Sequence, residues 1–128
     1  MVYYCTNCSK NKNISKKTSP AYLLYKSDRI KTLHNKAKKN GINLLILSGK
    51  YGLIYSDESI KYYDKLLLKK EINNHSRLIS QQLSEIPISK MKFFHKCIEN
   101  DKNLSNYLEC ISKACKSNKI ELIFEKID

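Results

Sequence analysis

The segment "NLLILSGKYGLI", residues 43–54, constrains the fold more than any other part of the chain. Residues 42–47 are apolar apart from Asn43, which is typical of a central strand that is covered on both faces. A polar stretch with two glycines follows: Ser48, Gly49, Lys50, Tyr51 and Gly52. Two interpretations are open. The stretch is either a tight turn with Tyr51 in the core, or one wall of a binding site.

Segments with strand and helix patterns alternate along the chain. Strands are predicted over residues 2–6, 42–47, 91–97 and 120–124. Helices are predicted from an N-cap at Ser19, with Pro20 in the first turn, to Asn40-Gly41, then over residues 73–86, and along an apolar stripe from Leu104 to Cys115. The alternation predicts a single α/β domain, residues 1–128, with three layers and a mainly parallel central sheet.

The charge balance favours a polyanionic partner. The formal net charge is +12, and 22 of the 24 basic residues are lysines. A basic surface of this size is typical of proteins that bind nucleic acid. The same lysine excess, together with many Asn and Ile residues, also fits codon drift in an AT-rich genome, so both explanations stay open.

The cysteines predict neither a disulfide framework nor a metal centre. There are five, at positions 5, 8, 97, 110 and 115, an odd number without a secretory signal. Cys5 and Cys8 form a C-x-x-C pair, but no second pair has the spacing that zinc sites use. We therefore expect no cofactor and no metal.

The apolar segments are too short to imply a membrane protein. None approaches the ~20 residues that a spanning helix requires. The first residues lack the basic and apolar regions of a signal peptide. A cytoplasmic protein without a membrane partner is the expectation.

Two polar connections, residues 7–18 and 48–70, follow the first two predicted strands. Because the carboxyl ends of parallel strands share one edge, both loops are expected to meet there and form facing walls of a cleft. The first loop supplies Cys8, Ser9, Lys10 and Lys12. Lys12 and Lys50 suit phosphate, Tyr51 suits base stacking, and the glycines allow close backbone approach.

Four segments resemble a family of small uncharacterised bacterial, archaeal and phage domains. They are "CSKNK" at 8–12, "SPAYLLYKS" at 19–27, "LILSGKYGLI" at 45–54 and "YYDKLL" at 62–67. That family is similar to the YaaA peroxide-stress proteins and the core domain of archaeosine synthase, a group whose fold resembles uracil-DNA glycosylases. The resemblance covers about the first two thirds of the chain.

The resemblance implies a set of site residues and a uracil-DNA-glycosylase-like fold. The matching positions are Cys8, Ser9, Lys12, Tyr25, Ser27, Ser48, Lys50, Tyr51, Gly52, Tyr63 and Asp64. Two positions depart from the usual pattern, Gly49 where relatives have Ala and Tyr62 where they have Pro. The glycosylase motif Gly-x-Asp-Pro-Tyr is absent from the sequence.

The implied function is processing of a base in DNA or RNA, as in an N-glycosylase or a base-modifying enzyme. Asp64 and Ser48 are the candidate catalytic residues, and the other matching positions are candidate substrate-binding residues. Asp64 would activate water or balance the positive charge that develops on the sugar. It is also open that Asp64 is a structural helix cap or ion-pair partner. Two alternative functions remain: a non-catalytic DNA- or RNA-binding domain, and an enzyme of free nucleosides or nucleotides.

Overall fold

The computed structural model describes residues 1–10, 12–14, 17–96 and 103–127. Its strands are β1 (Val2–Asn7), β2 (Ser19–Pro20), β3 (Leu44–Ser48), β4 (Gly52–Tyr55), β5 (Ser59–Ile60), β6 (Lys90–His95) and β7 (Glu121–Lys126). Its α-helices are α1 (Ala21–Leu24), α2 (Asp28–Asn40), α3 (Ile72–Ser84) and α4 (Leu104–Ser117), with a 3-10 turn at Lys69–Glu71.

The central sheet has five strands in the order β4-β3-β1-β6-β7. β1 lies between β3 and β6 and is parallel to both, and β7 is parallel to β6. Only β4 runs the other way, because it returns beside β3 through a short turn. The predicted α/β class with a mainly parallel sheet is confirmed.

Successive side chains of the inner strands point to opposite faces of the sheet, and both faces are buried. Tyr3 and Cys5 of β1 belong to one core with Ile79 of α3 and Ile111 of α4. Neighbouring residues point the other way. Tyr4 packs in a second core with Leu33 and Ala37 of α2, and Ile46 packs in a third with Ile30 of α2. Helices therefore cover both faces of the sheet.

The first predicted helix begins within two residues of its predicted start, at Ala21, but it is interrupted and continues as a second helix from Asp28. Ser19 and Pro20 are extended and pair with β5, and Pro20 has ψ 137°. The short helix α1 then stops at Tyr25, and α2 begins anew after Ser27, whose Oγ accepts a hydrogen bond from the Ile30 N–H at 3.3 Å. The interruption at residues 25–27 was not predicted from the apolar pattern.

The predicted end of that helix is correct. Gly41 has φ +66°, and its N–H reaches the carbonyl oxygens of Ala37 and Lys38. This left-handed residue closes the helix in the way that glycine does at many helix ends.

The connection 48–70 contains more structure than was predicted. It holds β4, which adds an antiparallel edge strand, and β5. Gly52 opens β4 with φ +72°, a conformation that glycine adopts without strain. The third predicted strand ends at His95, and its predicted last residue, Cys97, lies outside the described residues.

No helix among the described residues combines the length and apolar character needed to cross a bilayer.

Replacing the two candidate cap serines tests the helix start directly. We expect Ser27→Ala to lower the free energy of unfolding by about 1 kcal/mol, because the first turn of α2 loses its side-chain acceptor. Ser19→Ala is the matched control and should cost much less, since Ser19 caps no helix. Chemical denaturation of both variants measures the difference. Equal losses would contradict the assigned cap.

Candidate functional site

A cavity of about 580 Å³ opens at the carboxyl ends of β1 and β6. Its walls come from the loop after β1, the first turn of α2, residues 64–66, the residue after β6 and the start of α4. Among the described lining residues five are cations: Lys10, Lys12, Arg29, Lys65 and Lys96. The single carboxylate among those residues is Asp64. The cavity is therefore suited to an anionic ligand.

Lys12 is held in place by the chain around it. Its backbone pairs with that of Tyr25, and the neighbouring Asn13 N–H donates to the Leu24 carbonyl at 2.6 Å. Its Nζ lies 4.7 Å from the ring centroid of Tyr63 and 5.9 Å from that of Tyr25. These cation–π contacts orient the ammonium group beside the cavity.

Arg29 was not predicted as a site residue. It lies in the first turn of α2, and its Nη1 donates to Thr6 Oγ1 and to the Asn7 carbonyl oxygen, the latter at 3.0 Å. These bonds fix the guanidinium group at the end of β1, where it lines the cavity. The sequence did contain one signal for Arg29, because it is one of only two arginines among the 24 basic residues.

Asn7, the last residue of β1, also lines the cavity and was not predicted. Its side chain is 6% exposed, and its Nδ2 donates to the Cys8 carbonyl oxygen at 3.2 Å. No described residue donates a hydrogen bond to its Oδ1. A buried acceptor of this kind is uncommon in folded proteins.

Cys8 lies next to Asn7 and connects the cavity to α4. Its Sγ is 3.7 Å from the hydroxyl oxygen of Tyr107, which in turn accepts the Leu67 N–H at 3.2 Å. The Cys8 N–H donates to the Leu47 carbonyl oxygen at 2.9 Å. Cys8 is thus anchored through its main chain while its side chain contacts a hydroxyl group.

Residues 63–67, here called the dividing segment, separate this cavity from a second, shallower groove. The segment crosses tightly over the β3–β4 turn. A Cβ on Gly49 would lie 2.6 Å from the Lys65 carbonyl oxygen and 2.9 Å from the Leu67 nitrogen. The Asn106 Nδ2 donates to the Leu67 carbonyl at 3.2 Å. Only glycine at position 49 permits this approach.

The second groove has a volume of about 440 Å³ and lies beside the β3–β4 turn. Asp64 and Lys65 line both the groove and the cavity, whereas Lys50 and Tyr63 line the groove but not the cavity. Lys65 forms an ion pair with Glu71 at 2.5 Å. That contact and a backbone N–H from Leu68 hold the pKa of Glu71 below its ordinary value.

The predicted wall at residues 48–52 therefore lies on the other side of the dividing segment from the loop Cys8–Lys12. Ser48 is fully buried, and its Oγ accepts the Tyr51 N–H at 2.8 Å. Its carbonyl oxygen receives a hydrogen bond from His75 Nε2, also at 2.8 Å. The contacts of Ser48 are those of a residue that stabilises a turn.

Gly52 and Tyr51 make internal contacts as well. A side chain on Gly52 would collide with Gln82, whose Oε1 accepts the Leu53 N–H at 2.8 Å. Tyr51 meets the Tyr63 ring edge to face at 5.2 Å between centroids, and the Lys50 Nζ lies 5.2 Å from the Tyr51 ring. Tyr51 is not among the described residues that line the cavity.

Tyr25 and Tyr63 form a buried pair behind Lys12, with 2.6 Å between their hydroxyl oxygens. Burial is the main cause that raises the pKa of both phenols, followed by their proximity to Cys8.

Of the sequence-predicted site residues, the cavity brings together Cys8, Ser9, Lys12 and Asp64. Tyr25 and Ser27 support the surrounding fold, the former as a buried side chain and the latter as a helix cap.

The described cysteines do not converge on a metal site. Cys5, Cys110 and Cys115 are buried in the core. Burial raises the pKa of Cys110 and of Cys115 to about 12, and raises that of Cys5 well above its ordinary value. No cluster of three or more potential metal ligands occurs in the part of the chain that the structure describes. Cys97 lies outside that part.

Fold and site together define an α/β protein with a cationic cavity at the carboxyl edge of a mainly parallel sheet. The chain belongs to the family of unknown function DUF6884, which matches residues 4–95. That match runs from the third residue of β1 to the end of β6 and includes every sequence-predicted site residue. No curated protein and no solved structure matches the chain.

The buried tyrosine pair predicts a specific pH dependence of stability. The folded pKa of Tyr63 lies above the unfolded value of about 10, so its contribution is complete below about pH 10. Above that pH the unfolded chain loses the proton while the folded chain keeps it, and stability falls. Tyr63→Phe should therefore lose stability less steeply between about pH 10 and about pH 11.

Tyr62→Phe is the matched control, because Tyr62 is adjacent to Tyr63 in the chain but is 36% exposed. Denaturant unfolding over the same pH range measures both slopes. At neutral pH, Tyr63→Phe should also cost about 1 kcal/mol, since the Tyr25 hydroxyl loses its partner. Parallel pH profiles for parent and Tyr63→Phe would disprove the assignment.

Proposed function

We propose that this protein binds DNA or RNA through the cationic cavity and acts on the base of one bound nucleotide, most simply by cleaving an N-glycosidic bond. One observation carries the proposal: five cations from four separate stretches of chain surround one cavity, against a single carboxylate among the described lining residues. Phosphate is the anion that such a set binds in nucleic-acid-binding proteins.

The size and place of the cavity support a nucleotide as the bound unit. Its volume of about 580 Å³ falls within the usual range for small-molecule sites. It lies at the carboxyl edge of a parallel sheet, where ligands of α/β proteins bind. A single nucleotide taken out of its strand would present both a phosphate and a base to these walls.

The four-segment resemblance supports a uracil-DNA-glycosylase-like arrangement as the finer description of the fold. In this proposal Asp64 is the catalytic carboxylate. It lines both the cavity and the groove, so it lies beside the path of a strand that leaves the cavity. Its charge would stabilise the positive charge that develops on the sugar when the base departs.

The positions of the other candidates refine this proposal. Lys12 and Arg29 line the cavity and Lys50 lines the groove. In this proposal the first two bind one phosphate and Lys50 binds a neighbouring phosphate. Ser48 has no step assigned to it, because its hydroxyl group accepts a backbone hydrogen bond inside the turn. Base stacking is not assigned to Tyr51, whose ring packs against Tyr63.

Oligonucleotide binding by the cavity should depend on salt. We expect Lys12→Gln to weaken binding of a labelled single-stranded oligonucleotide about tenfold, the scale of one charge-assisted hydrogen bond of ~1.5 kcal/mol. The slope of log affinity against log salt should fall by about 0.7, because one phosphate contact is lost. Fluorescence anisotropy at several salt concentrations measures both quantities.

Lys116→Gln is the matched control, because it removes the same charge from the last turn of α4 and does not line the cavity. It should change affinity and slope far less than Lys12→Gln. Equal effects from the two variants would mean that the general charge of the protein, and not the cavity, attracts the polyanion. Binding that is independent of salt would contradict nucleic-acid binding itself.

Catalysis should depend on the Asp64 charge. Asp64→Asn keeps the shape of the side chain, so binding of base-modified oligonucleotides should persist while release of free base falls by about 10²-fold or more. Chromatographic detection of the released base measures this, with exposed Asp57→Asn as the control. If the parent protein binds a panel of oligonucleotides with uracil and other modified bases but releases none, the non-catalytic alternative is favoured.

A further inference from the structure

Asn7 carries an inference about what the cavity recognises besides phosphate. We propose that Asn7 is a specificity-determining residue, whose Oδ1 accepts a hydrogen bond from an N–H group on the base of the bound nucleotide. The inference rests on the proposed function and deepens it, because it assigns the residue that distinguishes a nucleotide from a simple sugar phosphate.

The position of Asn7 is fixed by its main chain. It pairs with Leu47 of β3, and its carbonyl oxygen accepts a hydrogen bond from Arg29 at 3.0 Å. The next N–H, that of Cys8, donates to the Leu47 carbonyl. The main chain of Asn7 is therefore held at the end of the central strand, beside the cavity that the residue lines.

The orientation of the amide determines which group is available. The Nδ2 donates to the Cys8 carbonyl oxygen at 3.2 Å, which leaves Oδ1 as the side-chain atom with no described partner. The opposite amide orientation would place oxygen against oxygen and is disfavoured. Oδ1 is thus a buried and unsatisfied acceptor in a residue of the cavity wall, and a ligand that satisfies it must present a donor.

The neighbouring charges do not satisfy this acceptor. Arg29 lies beside Asn7 and donates to the Thr6 hydroxyl and to the Asn7 carbonyl oxygen of the main chain, but not to Asn7 Oδ1. A buried acceptor without a donor costs free energy, and a ligand N–H recovers that cost on binding. The cations suit a phosphate group, and Asn7 suits an N–H donor. A nucleotide carries both groups in one molecule.

The test compares ligands that share the phosphate and differ in the base. The probes are the four common nucleoside monophosphates and ribose 5-phosphate, whose dissociation constants are measured by calorimetry. We expect the parent protein to bind at least one nucleotide about tenfold or more tightly than ribose 5-phosphate, since a site that is built to hydrogen-bond a ligand group discriminates against ligands lacking it. Asn7→Leu, of similar size, should abolish that preference and leave the affinity for ribose 5-phosphate unchanged.

Two further variants separate specificity from general damage. Asn7→Asp keeps an acceptor oxygen and should retain the preference, although its charge weakens binding of both kinds of ligand. Arg29→Gln should weaken both ligands by a similar factor and leave their ratio unchanged. If Asn7→Leu disturbs the strand, as judged from thermal unfolding, Asn7→Ala takes its place.

The outcomes distinguish this inference from the function on which it rests. A parent protein that binds nucleotides and ribose 5-phosphate equally well overturns the role of Asn7 but leaves phosphate binding standing. The same holds if the Asn7→Leu or Asn7→Ala variant keeps the preference, because the base is then recognised by another group. A parent protein that binds neither the nucleotides nor an oligonucleotide overturns both proposals.

Discussion

The close crossing of the dividing segment over Gly49 is the contact on which the site depends. The Lys65 carbonyl and the Leu67 nitrogen lie where a side chain at position 49 would begin. The Tyr107 hydroxyl binds the same segment from the side of α4 through the Leu67 N–H. Held between the turn and the helix, residues 63–67 close one side of the cavity and place Asp64 and Lys65 at its border with the groove. A larger residue at position 49 would move this wall.

The sheet was predictable because its inner strands are nearly continuous apolar runs. Residues 44–47 are buried on both faces, and that requirement leaves a strong sequence pattern. The break between α1 and α2 was not predictable from local signals. Tyr25 is extended and its backbone pairs with that of Lys12, and Ser19 pairs with Ile60, forty-one residues away, so long-range contacts shape this region. β4 was missed for a similar reason, since its four residues follow a turn whose geometry depends on Gly52 and on contacts with Gln82.

The site was predictable to the extent that it follows strand ends. The loop after β1 lines the cavity because β1 is central and parallel to its neighbours. The facing wall was predicted at the β3–β4 turn, but the dividing segment lies between the two. Arg29 and Asn7 were missed because their roles arise from contacts across the fold. The guanidinium group of Arg29 reaches back to the end of β1, and Asn7 becomes notable only when its hydrogen-bond partners are known.

The arrangement of charge bears on the two explanations of the lysine-rich composition. Codon drift raises the number of lysines everywhere and predicts no preferred location. Basic residues make up 24 of 128 positions in the chain but 5 of the 13 described residues that line the cavity, about twice the proportion. Acidic residues, 12 of 128 overall, contribute 1 of those 13 and are not enriched. On the far strands Lys90 and Lys92 are paired with Glu121 and Glu125, and at the cavity Lys65 is paired with Glu71. Drift alone predicts no concentration of cations at the edge of the sheet where α/β proteins bind their ligands.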